Sequence, residues 1–533
     1  MTEKAKLLLI DWENIRLDNS YLDFIYNYLL ENEIPMTPFD LAKAIVSEKI
    51  RLTKKEISRK EKSKGRVYRP NETYEIGDTI TFPLLSNQQG VVKDSRAGVN
   101  PDISDFSVTT FEMEDGSLKQ FASRLSQHKL NDFDYSGANH SKELDPNEVY
   151  KKYGRKIAYQ IQELLSASDG LVSIANYWFP QALLSEINPG YLNLAEAVLE
   201  MEESRPVPTA NILSLIEYPL DSNDKLTAFS FNYALQADDR FDEVGPTGQI
   251  LWALKLLEPE DVRKKPLTLQ YNRQDSPLLP ETARKLLDNI RIHDELDLQI
   301  DNSLTDTPES SFNVCISYPH WKAGTLPLIN EILPIFPTAL ETKRVIFDFV
   351  DSKTNNVFPG WVVIPEKYVS GLKSWFRQNN VIPGSMIRIS KGEDDTVNVA
   401  LIPPRASKDW IRTALFDSKG RIYFETRHQM ISTEFDERMC IYIENSPQLD
   451  VLWEQYNKSD VNLKRLIEIV FKDLSRSNPQ GIVHFQEIYA GINMMRRFPP
   501  ASLLAAVLND DQFIQLDNLY FKLKTTEVSE EVY

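Results

Sequence analysis

The residue pattern with the plainest chemistry is cationic. Between Lys49 and Arg69 the chain places Lys49, Arg51, Lys54, Lys55, Arg59, Lys60, Lys62, Lys64, Arg66 and Arg69 against Glu56 and Glu61, a net +8 in 21 residues. Closely spaced ammonium and guanidinium groups neutralise phosphates and release their counterions, which is the chemistry of a nucleic-acid backbone contact. The whole chain of 533 residues carries 60 Lys+Arg and 78 Asp+Glu, net −18, so everything outside the tract stands at −26. That balance excludes a protein that coats nucleic acid with its entire surface. It leaves a confined contact open, because charges separated by more than a Debye length of ~8 Å are screened at physiological salt. The other reading of the tract is a solvated charged helix, or an internal partner for the acidic remainder.

Further cations fall at Arg496-Arg497, Lys522 and Lys524, at Lys373 and Arg377, and at Arg388 and Lys391. Asp348 and Asp351 flank Phe349-Val350 as a nuclease pair would, but no Glu-x-Lys follows on an adjacent strand. Phosphate loops of the GxxxxGK[ST] type, a GxSxG elbow and a dinucleotide-binding glycine fingerprint are absent, and glycine is scarce at 19 residues. Cys315 and Cys440 lack CxxC spacing, and the six histidines are scattered. No disulfide framework or metal site is expected from them. The expectation is a protein with no catalytic residues, no cofactor, no metal and no small-molecule substrate. Cysteine usage suits a reducing cytoplasm. The apolar run Leu7 to Ile10 stops at Asp11, and no apolar stretch approaches the ~20 residues that span a bilayer, so a cytoplasmic protein is expected.

The elements that must position these cations read as follows. Leu22, Ile25, Tyr26, Leu29 and Leu30 lie at helical spacing, and Thr37 stands where it could cap a second helix over Phe39 to Val46. Residues 1–69 therefore read as a helix-turn-helix or winged-helix-like domain carrying the basic tract. From Tyr74 the period changes to two, through Ile76, Thr79 to Phe82, Gly90 to Lys93 and Ser107 to Met113, with Asp115-Gly116 as a hairpin turn. Residues 70–130 are expected to form a small SH3-like β-barrel, and 131–148 a linker.

Two later segments share one order of elements, three helices and then a two-stranded wing. The first spans 149–265 and includes Asp238-Asp239-Arg240-Phe241 and a strand at Ile250 to Leu254. The second spans 447–525 and includes Asp510-Asp511-Gln512-Phe513 and Leu519 to Leu523. Residues 294–311 hold six acids and no Lys or Arg, the composition of a solvated linker. Residues 312–446 are strand-rich with one helix at Leu372 to Gln378, a larger β-pseudobarrel. Trp252, Phe241, Trp361, Trp375 and Phe376 read as core rather than as base-stacking residues, and His320 and His428 as structural. The fold class is thus multi-domain α+β, with repeated winged-helix domains, a small barrel and a pseudobarrel.

These motifs carry several resemblances. The segments at about 160–260 and 450–525 resemble HARE-type winged-helix domains in helical order, in the acidic pair before Phe, and in the aromatic wing strand at Trp252 and at Tyr520-Phe521. The run through Tyr74, Gly77, Asp78, Ile80, Phe82, Pro83 and Gly90-Val91-Val92 is similar to the small barrel of the CarD and transcription-repair coupling factor family. That resemblance implies RNA polymerase, or another protein, as a partner docking through 74–125. Phe358 to Trp361, Gly371 to Phe376 and Asn379 to Ile387 resemble the plant-type DNA-binding pseudobarrel, with Ser385 where that pattern has Asp. Lys6 to Asn14 is similar to the opening strand of NYN-type nucleases, whose later carboxylates do not follow.

Together they imply a non-enzymatic DNA-binding protein of bacterial type, active in transcription regulation, with Lys54, Lys55, Arg59, Lys60, Lys62, Lys64, Arg66, Arg496, Arg497, Lys373 and Arg377 at the nucleic acid. The rival readings are an acidic interaction scaffold without nucleic-acid binding, and a DNA-recognition subunit of a restriction or defence system.

Overall fold

The computed structural model describes residues 11–63, 66–86, 88–100, 103, 105–132, 145–202, 205–219, 223–271, 279–290, 292–296, 310–339, 341–405, 408–458 and 462–524, with residue 54 and residues 56–63 described by backbone alone. The chain divides into two compact units, residues 1–184 and 185–533.

In the first unit, α1 (Asn19–Asn32) starts at Asp18, whose carboxylate accepts from the Ser20 amide, and stops at Glu33 in the left-handed region. α2 (Pro38–Ser63) starts as its sequence suggests: the Thr37 hydroxyl accepts from the Asp40 amide at 3.2 Å, and Asp40 accepts in return from the Thr37 amide at 3.3 Å. Five strands follow, β1 (Arg66–Val67), β2 (Thr79–Phe82), β3 (Gln88–Ala97), β4 (Ser107–Met113) and β5 (Leu118–Ser123), hydrogen-bonded in sequence order. Their core is aromatic, with Tyr68, Phe82, Phe111 and Phe121 in mutual contact and Phe82 edge-on to Phe111 at 4.9 Å. Gly116 takes φ +76 in the Asp115-Gly116 turn, a conformation that side chains with a Cβ rarely adopt.

The chain then returns to the first helices. α3 (Pro146–Ser166) packs on α2, and the hairpin of β6 (Leu171–Ile174) and β7 (Tyr177–Pro180) reaches back to bridge Trp178 with Met36, in the turn between α1 and α2. α1, Met36, α2, α3, β6 and β7 therefore make one winged helix, and the barrel is inserted between its second and third helices. This corrects the expected boundaries. Residues 146–184 complete the N-terminal copy and do not open the domain expected over 149–265.

The second unit begins with the middle copy: α4 (Pro189–Met201), β8 (Val207–Pro208), α5 (Thr209–Leu215), α6 (Asp224–Ala237), β9 (Phe241–Glu243) and β10 (Leu251–Leu254), with strand order β8-β10-β9. Phe231, Phe241 and Trp252 lie in its core, Phe241 and Trp252 as expected. After α7 (Glu281–Asp288) comes the nearly closed seven-stranded sheet, order β11-β16-β17-β13-β14-β15-β12. Its strands are β11 (Ser311–Cys315), β12 (Thr325–Pro327), β13 (Arg344–Asp351), β14 (Val357–Val363), β15 (Tyr368–Ser370), β16 (Met386–Lys391) and β17 (Val397–Leu401). α8 (Tyr318–Ala323) joins β11 to β12, and α9 (Lys373–Gln378) joins β15 to β16. Trp375 and Phe376 point into its core, while Trp361 packs with Val244 and Ala253 of the middle winged helix.

A three-stranded sheet of β18 (Lys408–Phe416), β19 (Ile422–Met430) and β20 (Tyr442–Ile443) leads through α10 (Ser446–Lys458) to the C-terminal copy. That copy comprises α11 (Leu463–Arg476), β21 (Ile482–His484), α12 (Phe485–Asn493), α13 (Pro500–Leu508), β22 (Phe513–Gln515) and β23 (Tyr520–Leu523). Its strand order β21-β23-β22 repeats that of the middle copy. The expected solvated linker at 294–311 is corrected at its start, where Asp294 and Glu295 are buried. Residues 297–309 lie outside the described residues.

Candidate nucleic-acid interface

The three winged helices differ in what their third helices can reach. α6 of the middle copy buries Thr227, Phe229, Ser230, Phe231, Asn232 and Leu235. Asn232 is held inside by Thr209, at 2.6 Å, and by the Trp252 indole N–H, at 2.9 Å. α13 of the C-terminal copy is apolar almost all round, buries Pro500 and Ser502 to Val507, and packs against α7. A helix whose middle turns are mostly packed away has little face left for a groove. In these two copies the third helix is therefore taken up largely by packing within its own surroundings.

α3 of the N-terminal copy is amphipathic. Asp145 caps it, Pro146 fits its first turn, and Glu148 complements the positive end of its dipole. Val149, Ile157, Ala158, Ile161 and Leu165 face the core at helical spacing. This leaves Lys151, Lys152, Arg155, Lys156 and Tyr159 exposed, with no acid from 149 to 162. Lys151 stands one turn from Arg155, and Lys152 one turn from Lys156. Lys156 donates to the Glu13 carbonyl, and the Gln160 side chain bonds Leu17 and Ile15, so the 11–17 segment lies along the later turns of α3. Lys151 and Arg155 pair with no acid among the described residues. This set was missed by sequence reasoning, although its signal was present in the run Lys151-Lys152-Tyr153-Gly154-Arg155-Lys156.

The basic tract maps onto α2 and β1. Lys54, Arg59, Lys60 and Lys62 lie on the last turns of α2, with side chains outside the description, and Lys64 lies outside the described residues. Lys55 is exposed. Lys49 donates to the Tyr21 hydroxyl at 2.9 Å, and Arg51 forms a bidentate pair with Glu48, whose carboxyl it holds below the usual range. Arg66 is committed to the barrel: its guanidinium pairs with Glu72 at 2.9 Å and Asp78 at 3.4 Å and lies over the Tyr74 ring. Its charge is therefore compensated locally.

The remaining candidates lie in the second unit. Lys373 and Arg377 are exposed one turn apart on α9, unpaired among the described residues. Arg388 donates to Asn313 at 3.2 Å. Arg496 is half-buried over the Phe498 ring. Arg497 is corrected outright, because its guanidinium is in the interior and cannot meet a phosphate. It pairs with Asp294 at 2.8 Å and Glu295 at 3.0 Å. Tyr489 donates to Asp294, and His320 bridges Glu295 at 2.8 Å and Thr325 at 2.9 Å. Burial pushes the Asp294 carboxyl up to about 6, against the pull of Arg497. Burial also acts on Glu295, but Arg497 and His320 together hold it well below the usual range. This cluster ties the chain before β11, α8 and α12 together.

Asp351 caps the turn after β13, accepting from the Lys353 amide at 2.9 Å and the Thr354 hydroxyl at 3.0 Å, an architectural role. Among the described residues no group of three or more His, Cys, Asp or Glu could hold a metal ion, and no helix is long and apolar enough to cross a membrane. Comparison with known proteins finds no similar family model, curated protein or solved structure.

Proposed function

We propose that this is a non-enzymatic DNA-binding protein of the cytoplasm, acting in transcription, whose contact is the N-terminal winged helix. The observation that carries the reading is α3. It is the third helix of a winged helix, its outer face holds four cations and an exposed tyrosine, and the helix itself carries no acid from 149 to 162; Asp11 and Glu13 of the adjoining segment reach only Lys156 and Lys152, which leaves Lys151 and Arg155 without an acidic partner among the described residues. In this reading α3 enters the major groove with Lys151, Lys152 and Arg155 against the phosphates that border it, and Lys54, Lys55, Arg59, Lys60 and Lys62 of α2 lie towards the flanking backbone. The inserted barrel docks a protein partner, RNA polymerase being the one its resemblance implies. The buried third helices of the other two copies favour a second role for the same molecule, in which residues 185–533 act as an acidic protein-binding scaffold.

The test is an electrophoretic shift with duplex DNA from about 50 to 200 mM salt. With ~6 phosphate contacts, affinity falls with a log–log slope near −5. Replacing Lys151, Lys152 and Arg155 by Gln lowers the magnitude of that slope by about 3, close to one per lost cation. No binding at low salt, or an unchanged slope in the triple variant, rejects the proposal.

A further inference from the structure

β18 and β19 pair over nine positions, from Lys408 opposite Met430 to Phe416 opposite Ile422. β20 pairs with β18 only at Thr413 and Ala414, so among the described residues the stretch from Lys408 to Arg412 is a two-stranded ribbon. Strand alternation sorts its side chains. One face carries Lys408, Trp410 and Arg412 opposite Met430, His428 and Thr426; the other carries Asp409, Ile411 and Thr413 opposite Gln429, Arg427 and Glu425. The first face turns to solvent.

Trp410 is 67% exposed and Met430 73% exposed, with the His428 ring edge-on to Trp410 at 5.1 Å. The other seven tryptophans are buried or half-buried. Although the chain is acidic overall, this face has no carboxylate and three basic side chains, of which Arg412 is tied to Glu487. What sets this face apart is the combination of an exposed indole, an adjoining thioether and flanking cations on one ribbon.

We infer that this ribbon face binds single-stranded nucleic acid, with an unpaired base stacking on Trp410 beside Met430, and Lys408 and His428 meeting the phosphates. The chemistry selects the ligand. Each nucleotide of a single strand offers a flat π-face and a negative charge together, which is the pairing of groups on this face. A stable protein interface buries about 800 Å² per partner, more than these few side chains supply, whereas stacking a base needs only the ring face. The inference rests on the nucleic-acid reading above and deepens it by adding a second contact and an unpaired strand as its ligand.

The test uses the full chain and an oligothymidine of about 16 nucleotides. Trp410 is the most exposed tryptophan, so stacking on it quenches intrinsic fluorescence as the oligonucleotide is added. Trp410→Ala removes that quenching and weakens single-strand affinity about 5- to 150-fold, the ~1–3 kcal/mol of one stacked base, while Trp410→Phe restores part of it. Duplex affinity, read through Lys151 and Arg155, stays unchanged in both variants. Unchanged single-strand affinity in Trp410→Ala overturns the inference while the duplex reading stands. Equal weakening for duplex and single strand, or displacement of the oligonucleotide by polyglutamate, overturns it as well. Binding to neither nucleic acid by the wild-type chain rejects both readings.

Discussion

Replacing Arg497 by Met removes a charge and keeps most of the side-chain volume. In the native protein the guanidinium lies 2.8 Å from Asp294 and 3.0 Å from Glu295, all three at 1% side-chain exposure or less. At an effective dielectric constant near 20, each contact of about 3 Å contributes roughly 5 kcal/mol of attraction, which the loss of hydration of three ions largely offsets. Taking away the guanidinium leaves Asp294 with only Tyr489, and Glu295 with only His320, as side-chain partners among the described residues, and breaking such a cluster costs about 3–5 kcal/mol. The assay is urea unfolding of the full chain followed by tryptophan fluorescence, since six of the eight tryptophans lie in residues 185–533. Adding Asp294→Asn and Glu295→Gln to Arg497→Met removes the stranded charges and restores most of the loss, because the penalty resides in unpaired ions. The penalty of the single variant also shrinks at acid pH. Asp294 already titrates at about 6 beside the arginine and takes up a proton more readily without it. A loss under about 1 kcal/mol, or a triple variant no more stable than Arg497→Met, would refute this account of the cluster.

Other perturbations test other parts of the fold. Phe111→Ala empties the centre of the barrel's aromatic cluster and should cost about 3–5 kcal/mol by denaturant unfolding, with the inserted barrel melting ahead of the second unit. His484 caps α12 by accepting from the Gln486 amide at 3.2 Å, which requires a neutral ring, and burial with the nearby Arg438 brings its pKa down to about 4. The unfolded chain thus binds a proton that the native one does not between about 6.5 and 4, so stability falls as pH drops through that window. His484→Asn should flatten that part of the pH–stability curve in thermal melts. Gly324 stands at φ +76, where an added Cβ would lie 2.5 Å from the Lys373 Cα. Gly324→Ala should destabilise by more than ~1 kcal/mol and weaken any contact made by Lys373 and Arg377, seen as a lower unfolding midpoint.

Local signals carried much of the architecture. Thr37 marks the start of α2, Asp115-Gly116 marks a barrel hairpin, and the repeated order around Trp252 and Phe521 marks two winged helices, because caps, turns and periodicity act between residues close in the chain. The candidate site was legible only in part. The tract on α2 stands out by composition, whereas the cations of α3 lay unnoticed in a segment whose role depends on pairing Met36 with Trp178, more than a hundred residues apart.

Composition and spacing by themselves determined the fold class, the aromatic cores and the presence of a confined cationic tract in an acidic chain. Tertiary structure alone decided where the cations stand. It pairs Arg66 with Glu72 and Asp78, sinks Arg497 between Asp294 and Glu295, packs away the middle turns of α6 and most of α13, and leaves one face of α3 in water. The physical reason is that a charge's availability depends on which distant acid and which apolar wall the fold brings against it, and neither is written in its neighbours along the chain.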